Sequence, residues 1–339
     1  MHLFARSCTK GGKAHIMIGH TRLDQAFALQ FYWQKVGHHE KNLCGNWHWV
    51  LEMYLRANAK INLTLDVLGK REDGYHEVRM VMQTVGMYDR VTLEAKRGGG
   101  GIELETNLSY IPTDESNLAY KAAALLMEEA GVTDGLRIRL DKFIPVAAGL
   151  AGGSSDAAMA MVGVNRLFHL GFSQTELMER AKSIGADVPY CILRGTALSE
   201  GIGERLSRLK EMPKADILLC KPNISVSTRD VYAAFDAGLV VNHPDVDGLV
   251  ASIEAGDLKG MTLPSRMSNV LEMVTGSRYP VIAEIERIML EDGALSAMMS
   301  GSGPTVFGIF DDHERAEACR RHLRAVKPAA RTFLTWPAR

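Results

Sequence analysis

The sequence predicts an α+β protein of two domains, on three observations. Residues 54–67 alternate apolar and polar side chains, the period of a β-strand. A glycine-rich loop at 145–155 stands between an alternating strand pattern and an apolar helix pattern. From about residue 211 onward, strand and helix patterns follow one another as in a split α/β layer of ferredoxin-like type. At 339 residues the chain exceeds one ordinary core, which also favours two domains. The expected division is an N-terminal domain over 53–210 and a C-terminal domain over 211–339. Residues 1–52 are read as an extension outside the functional core. They hold six of the eleven histidines and three of the four tryptophans, with no clear period and no metal-ligand spacing.

In chain order, Leu55, Ala57, Ala59, Ile61, Leu63 and Leu65 mark one face of the first strand. A charged turn, Lys70 to Gly74, leads to a second strand near 78–85. Short strands at 91–94 and 102–105 flank the run Gly98 to Gly101, which predicts a flexible hairpin. Ser116 or Asn117 caps a helix to Ala130, ended by Gly131. Residues 136–140 alternate as a strand that feeds the glycine loop, and the helix after the loop reaches about Leu170. Ser173-Gln174-Thr175-Glu176 is a capping box for a helix ending at Gly185. Strands are expected at 188–193, 196–198 and 217–220, then a helix at 228–237 and a mostly helical stretch over 245–275. The remainder reads as helix 279–291, strand 295–299, loop 300–304, strand 305–310, helix 312–326 and strand 331–335.

Composition excludes several function classes. A formal net charge of −1 argues against a general nucleic-acid binder. No run of 18 apolar residues occurs, so no membrane span is expected. The five cysteines, Cys8, Cys44, Cys191, Cys220 and Cys319, have neither zinc-site nor disulfide spacing. They read as buried thiols of a cytoplasmic protein in a reducing compartment.

The chemistry concentrates in Pro145 to Ala158. Gly149, Gly152 and Gly153 let the backbone turn through positive φ and approach a ligand closely. Ser154 and Ser155 then open an apolar helix, whose free N–H groups and positive macrodipole end form an anion site suited to phosphate. No Lys-Ser or Lys-Thr follows the glycines, and their spacing misses the dinucleotide fingerprint. Lys60 shares a strand face with Asn58 and Asn62; it is either a functional cation or a lysine on a solvated sheet face. Asp187, before Val188-Pro189, is either a functional carboxylate or a turn residue. Near a phosphate, such a pair could accept a hydroxyl proton and steady the developing charge. Ser300-Gly301-Ser302-Gly303-Pro304-Thr305 is a second tight glycine turn. Asp73-Gly74-Tyr75-His76 could hold a base or simply close a loop.

Five motifs stand in one order between residues 53 and 335: Ala59-Lys60-Ile61-Asn62-Leu63, Asp73 to His76, Pro145 to Ala158, Gly185 to Pro189, and Met299 to Thr305. Together they resemble the GHMP small-molecule kinases. The resemblance implies a ribosomal S5 domain 2-like N-terminal domain, a ferredoxin-like C-terminal domain, and an active site between them. It implies transfer of the ATP γ-phosphoryl, with Mg2+, to the 2-hydroxyl of 4-diphosphocytidyl-2-C-methyl-D-erythritol in the non-mevalonate isoprenoid pathway. Asp187 would be the catalytic base and Lys60 its charged partner. Pro145, Gly149, Leu150, Gly152, Gly153, Ser154 and Ser155 would wrap the ATP phosphates, and Asn117 would lie near the adenine. Tyr75 and His76 would hold the cytosine with Tyr232 as a second aromatic, and Asn62 would face the methylerythritol end. No protein metal ligand is assigned. Ala147, Ala148 and Ala151 stand where many relatives carry more glycine, a change expected to alter loop flexibility at most. The alternatives are another kinase of the family, for homoserine, mevalonate or a sugar, and a ligand sensor without turnover.

Overall fold

The computed structural model describes residues 33–41 and 47–339, with side chains from residue 52 onward. Residues 1–32 and 42–46, with Cys8 and Cys44, lie outside the described residues, and so does most of the expected extension. Strand β1 (Trp33–Lys41) pairs antiparallel with the start of β2 (Trp47–Lys70), so β2 begins six residues before Met53. The described chain forms two compact units interleaved in sequence. One takes in the residues up to Ala57, then Tyr88–Phe143 and Gly153–Ile192; the other takes in Asn58–Met87, Ile144–Gly152 and Leu193–Arg339.

The first unit contains the end of β3 (His76–Lys96), β4 (Ile102–Thr106), α1 (Leu118–Glu129), β5 (Gly135–Asp141), α2 (Gly152–Leu167), α3 (Gln174–Ala181) and α4 (Val188–Leu193). The predicted hairpin across Gly98–Gly101 does not form. β4 pairs parallel with β5, and β5 pairs antiparallel with β3, so β5 lies between them. The reason is the intervening helix: parallel neighbours need a crossover, and α1 supplies it. Its start is fixed by Asn117, whose side chain accepts from Ala119 N. The capping box at Ser173 forms with both of its reciprocal bonds.

Residues 188–193 are helix α4, not the predicted strand. A buried apolar run of six residues does not reveal its period. Pro189 is tolerated because it sits in the first turn, where its missing N–H has no intrahelical partner to lose. Helix α2 is buried on almost every face from Ser155 to Leu167. Gly163 permits this, since a Cβ there would lie 2.1 Å from Leu93 Cδ1.

The second unit contains the rest of β2 and β3, the hairpin β6 (Thr196–Gly201) and β7 (Arg205–Arg208), and a four-stranded sheet. β3 pairs antiparallel with β6 from Val78–Gly201 to Gln83–Thr196. The four-stranded sheet comprises β8 (Asp216–Lys221), β9 (Ser296–Met299), β10 (Val306–Phe310) and β11 (Arg331–Thr335), in the order β11-β8-β10-β9 with every pair antiparallel. That is the ferredoxin-like order expected from the sequence. Between β8 and β9 run α5 (Thr228–Ala234), α6 (Val246–Ala255), α7 (Leu258–Met261), α8 (Glu272–Arg278) and α9 (Val281–Glu291); α10 (His313–Val326) joins β10 to β11. One apolar cluster unites Ala59, Ile61 and Leu63 of β2 with Ala148 and Leu150 of the glycine loop and Ile217, Phe307 and Ile309 of the sheet.

Candidate active site

In the second unit, the polar face of β2 is buried. Lys60 is 5 % exposed, Asn62 0 %, Thr64 0 % and Asp66 3 %, which rules out the solvated-face reading of Lys60. Burial of these groups requires partners. The Lys60 ammonium donates to Asn62 Oδ1 at 2.7 Å. Asn62 Nδ2 points at Met80 Sδ, 3.1 Å away. Thr64 donates to the Ser268 carbonyl, and Asp66 pairs with His243 Nδ1 at 2.7 Å.

The same strand holds the glycine loop. The Lys60 backbone N–H donates to the Leu150 carbonyl at 3.1 Å. The loop turns through left-handed conformations at Gly149 (φ 74) and also at Ala147 (φ 50) and Ala151 (φ 54). The two alanines therefore do more than alter flexibility, because they hold conformations in which a Cβ is strained. Above the loop sits the second glycine turn. Ser300 Oγ donates to the Gly149 carbonyl at 3.0 Å and accepts from Asn62 N at 3.3 Å. A Cβ on Gly301 would lie 3.4 Å from Asn62 Oδ1 and 3.7 Å from Lys60 Nζ. The turn that the sequence left open thus lines the lysine's surroundings.

That turn is itself held by residues that sequence reasoning missed. Asn269 Nδ2 donates to the Met299 and Gly301 carbonyls at 2.9 and 2.8 Å. Glu272 Oε1 accepts from Met299 N, Thr275 donates to Ser302 O, and Thr228 Oγ1 lies 2.8 Å from Ser302 Oγ. Burial, opposed by the Met299 bond, pushes the Glu272 carboxyl up to about 7. These residues belong to no motif, and nothing local marks them.

His76 and Tyr232 also meet in the second unit, with ring centroids 5.3 Å apart and planes tilted by 41°. Phe235 approaches His76 edge-on at 6.4 Å, an aromatic the sequence reading did not single out. Tyr75 projects outward at 61 % exposure, after a turn in which Asp73 accepts from Tyr75 N. Burial first, then the charge of Lys70, holds the His76 pKa below the usual imidazole value. Its neutral ring retains one donor and one acceptor nitrogen.

In the first unit, α2 opens at Gly152–Ser155, and the first N–H groups of any helix lack intrahelical acceptors. Asn117 is buried at 8 % exposure and spends its amide on structure, donating to Pro112 O at 2.8 Å besides its cap. A Cβ on Gly153 would lie 3.9 Å from Leu118 Cδ1, so the starts of α1 and α2 are neighbours. Asp187 is half-buried at the entry to α4, where its carbonyl accepts from Cys191 N at 3.0 Å. Among the described residues, no three His, Cys, Asp or Glu side chains gather as a metal cage.

Comparison with known proteins places this arrangement. Residues 117–195 match the model for the GHMP kinases N terminal domain, and residues 249–329 match the model for GHMP kinases C terminal. A solved homoserine kinase from Cytophaga hutchinsonii superposes with a TM-score of 0.70 at 19 % identity, over 85 % of this chain and 95 % of its own, a likeness of fold. The class is thus that of the two-domain GHMP kinases. The 4-diphosphocytidyl-2-C-methyl-D-erythritol kinase of Lachnospira eligens is 52 % identical over 281 residues, 83 % of this chain and 96 % of the relative. The protein of that name from Alkaliphilus oremlandii is 51 % identical over 273 residues, 80 % of this chain and 92 % of its own. A crystal structure of 4-(cytidine 5'-diphospho)-2C-methyl-D-erythritol kinase matches with a TM-score of 0.72 and 32 % identity, covering 84 % of this chain and 99 % of that one. The chain belongs to this family of GHMP kinases.

Proposed function

We propose that this chain transfers the γ-phosphoryl group of ATP to the 2-hydroxyl of 4-diphosphocytidyl-2-C-methyl-D-erythritol. The observation that carries the reading is the bond from Lys60 N to Leu150 O at 3.1 Å, which joins a buried lysine directly to the glycine loop. Phosphoryl transfer depends chiefly on positioning and charge neutralisation, and this arrangement supports both. Asp187 accepts the proton of the attacking hydroxyl. Lys60, oriented by Asn62, lowers that hydroxyl's pKa and steadies the charge that develops. Backbone N–H groups from Gly149 to Ser155 receive the phosphate oxygens, with Pro145 setting the entry to the loop. Asn117 borders the adenine through the start of α1.

His76 hydrogen-bonds the cytosine edge, while Tyr75 and Tyr232 supply stacking faces, and Asn62 faces the methylerythritol end. The donor set fits Mg2+ held through the nucleotide, because that ion takes most of its ligands from phosphates and water and needs no all-protein cage. When bound, the ion neutralises charge on the phosphates.

The test is ATP consumption with Mg2+ and the cytidyl acceptor, run beside homoserine, mevalonate and galactose. Turnover with the cytidyl acceptor alone is the expected result. Turnover with another acceptor rejects the substrate assignment and keeps the kinase; nucleotide binding without turnover on any of them favours a sensor.

A further inference from the structure

Three buried charged groups in the first unit have no place in the mechanism above. Lys142 directly follows β5, at the entry to the glycine loop, and Asp156 directly follows Ser155, at its exit. The Lys142 ammonium hydrogen-bonds both Asp156 Oδ2 and Asp89 Oδ2. Asp89, on β3, accepts through its other oxygen from the N–H of Phe143, the first residue beyond Lys142. All three side chains are nearly inaccessible, at 4 % for Lys142, 0 % for Asp89 and 4 % for Asp156. One ammonium therefore ties the two stems of the loop together, with the third group fixing the entry backbone. A buried lysine between two carboxylates is a costly way to stabilise a core, since apolar side chains fill such space with no desolvation penalty. Its placement at both ends of a phosphate loop is what gives it a purpose.

We infer that Lys142, Asp89 and Asp156 form a clasp that sets the spacing of the loop's two ends, and through it the affinity for the nucleotide phosphates. The inference rests on the phosphate role proposed for the loop. The three are positioning residues: they act on the ligand through the N–H groups at the start of α2. Protonation enters through Asp156, whose Oδ1 is buried with no hydrogen-bond partner. The charged groups that face it are Lys142 and Asp89. Burial raises its pKa most, Lys142 opposes, Asp89 adds to the rise, and the outcome is about 7. Burial alone would depress the Lys142 ammonium, but the two carboxylates together raise it above its usual value. Lys142 thus stays charged while Asp156 changes state, and the clasp is tightest when Asp156 is ionised.

Stability and affinity then depend on pH with opposite signs. Asp156 is held protonated in the folded chain over a range where the unfolded chain has lost that proton. Its contribution to stability is full in acid and is lost as pH rises from the ordinary carboxylate range to about 7. Nucleotide affinity moves the other way, because ionisation strengthens the tie to Lys142.

Asp156→Asn separates the two, since the amide keeps the shape and an acceptor oxygen for Lys142 but not the charge. At pH 8 the variant is expected to be at least as stable as wild type to urea. Its Kd for a non-hydrolysable ATP analogue with Mg2+, measured by calorimetry without acceptor, should be about tenfold weaker. The ratio of the two Kd values should shrink toward unity as pH falls from 8 to 6. Titration of the nucleotide itself is common to both proteins and cancels in that ratio. Asp156→Glu, which restores the carboxylate, should recover most of the affinity. Affinity within twofold of wild type at every pH, or affinity that merely follows stability, overturns the clasp. Failure of the wild type to bind the analogue would overturn the phosphate role of the loop and the clasp with it. Wild-type binding with an unaffected variant overturns the clasp alone.

Discussion

Gly149 and Ser300 meet backbone to backbone: a Cβ built on Gly149 would lie 2.2 Å from the Ser300 carbonyl oxygen, while the Ser300 hydroxyl donates to the Gly149 carbonyl at 3.0 Å. The glycine loop around Gly149 and the second glycine turn are thus one packed assembly within the second unit. Gly149 also holds φ at 74, so two separate constraints exclude a side chain there.

Gly149→Ala must strain the left-handed backbone and push the turn away. The expected loss is about 3 kcal/mol of stability, from the αL penalty and overpacking together. Urea unfolding should show it as a lower midpoint with an unchanged slope. A variant as stable as wild type would mean that the turn moves aside freely.

The strained alanines make a prediction of opposite sign. Ala151→Gly, at φ 54, relieves a conformation that costs a Cβ residue about 1 kcal/mol and should raise stability by a comparable amount. Ala148→Gly, at a buried position without positive φ, removes a packed methyl and should lower stability. Urea midpoints of the two variants, compared side by side, check the sign.

Asp187→Asn removes the proton acceptor assigned to the reaction and leaves the side-chain volume unchanged. The expected fall in kcat is on the order of a hundredfold to ten-thousandfold, with the Kd for ATP unaltered. Single-turnover measurement with bound nucleotide reads the chemical step directly. Near-normal turnover would dismiss Asp187 as the base.

His76→Ala should raise the KM for the cytidyl acceptor by about tenfold or more, the range of a lost base contact, without changing the KM for ATP. In the wild type, burial and Lys70 keep the imidazole neutral to lower pH than usual. With its folded pKa depressed, the ring's contribution to stability is present above the usual imidazole range and is lost as pH falls through the depressed value. Acceptor KM should rise over the same acid range, and the rise should be absent in the variant. An equal rise in both proteins would assign it to another group.

Much of this architecture was legible locally. The period of 54–67, the cap at Asn117, the box at Ser173 and the strand-helix succession after residue 211 each record their element within a few residues of sequence. The glycine loop announced itself because a left-handed turn and a helix start need particular residue types. Where such chemistry was absent, the reading failed. The apolar run 188–193 carries no period to separate helix from strand, and the Gly98–Gly101 run suggests a hairpin because nothing local reveals that the strand after it pairs in parallel through the α1 crossover. Asn269, which clamps the second glycine turn from 30 residues away, has no local signature at all.

The sequence by itself therefore determined most of the elements, the glycine loop and the set of residue types that chemistry would need. Tertiary structure alone decided what covers each face. Alternation put Lys60 and Asn62 on one side of β2, yet only the packing of Leu150, Ser300 and Ser268 against that strand made the polar side a buried one. Likewise, Lys142, Asp89 and Asp156 are unremarkable in sequence and become a clasp only where β3, β5 and α2 converge. Local periodicity reports which way a side chain points, but its environment depends on partners distant along the chain.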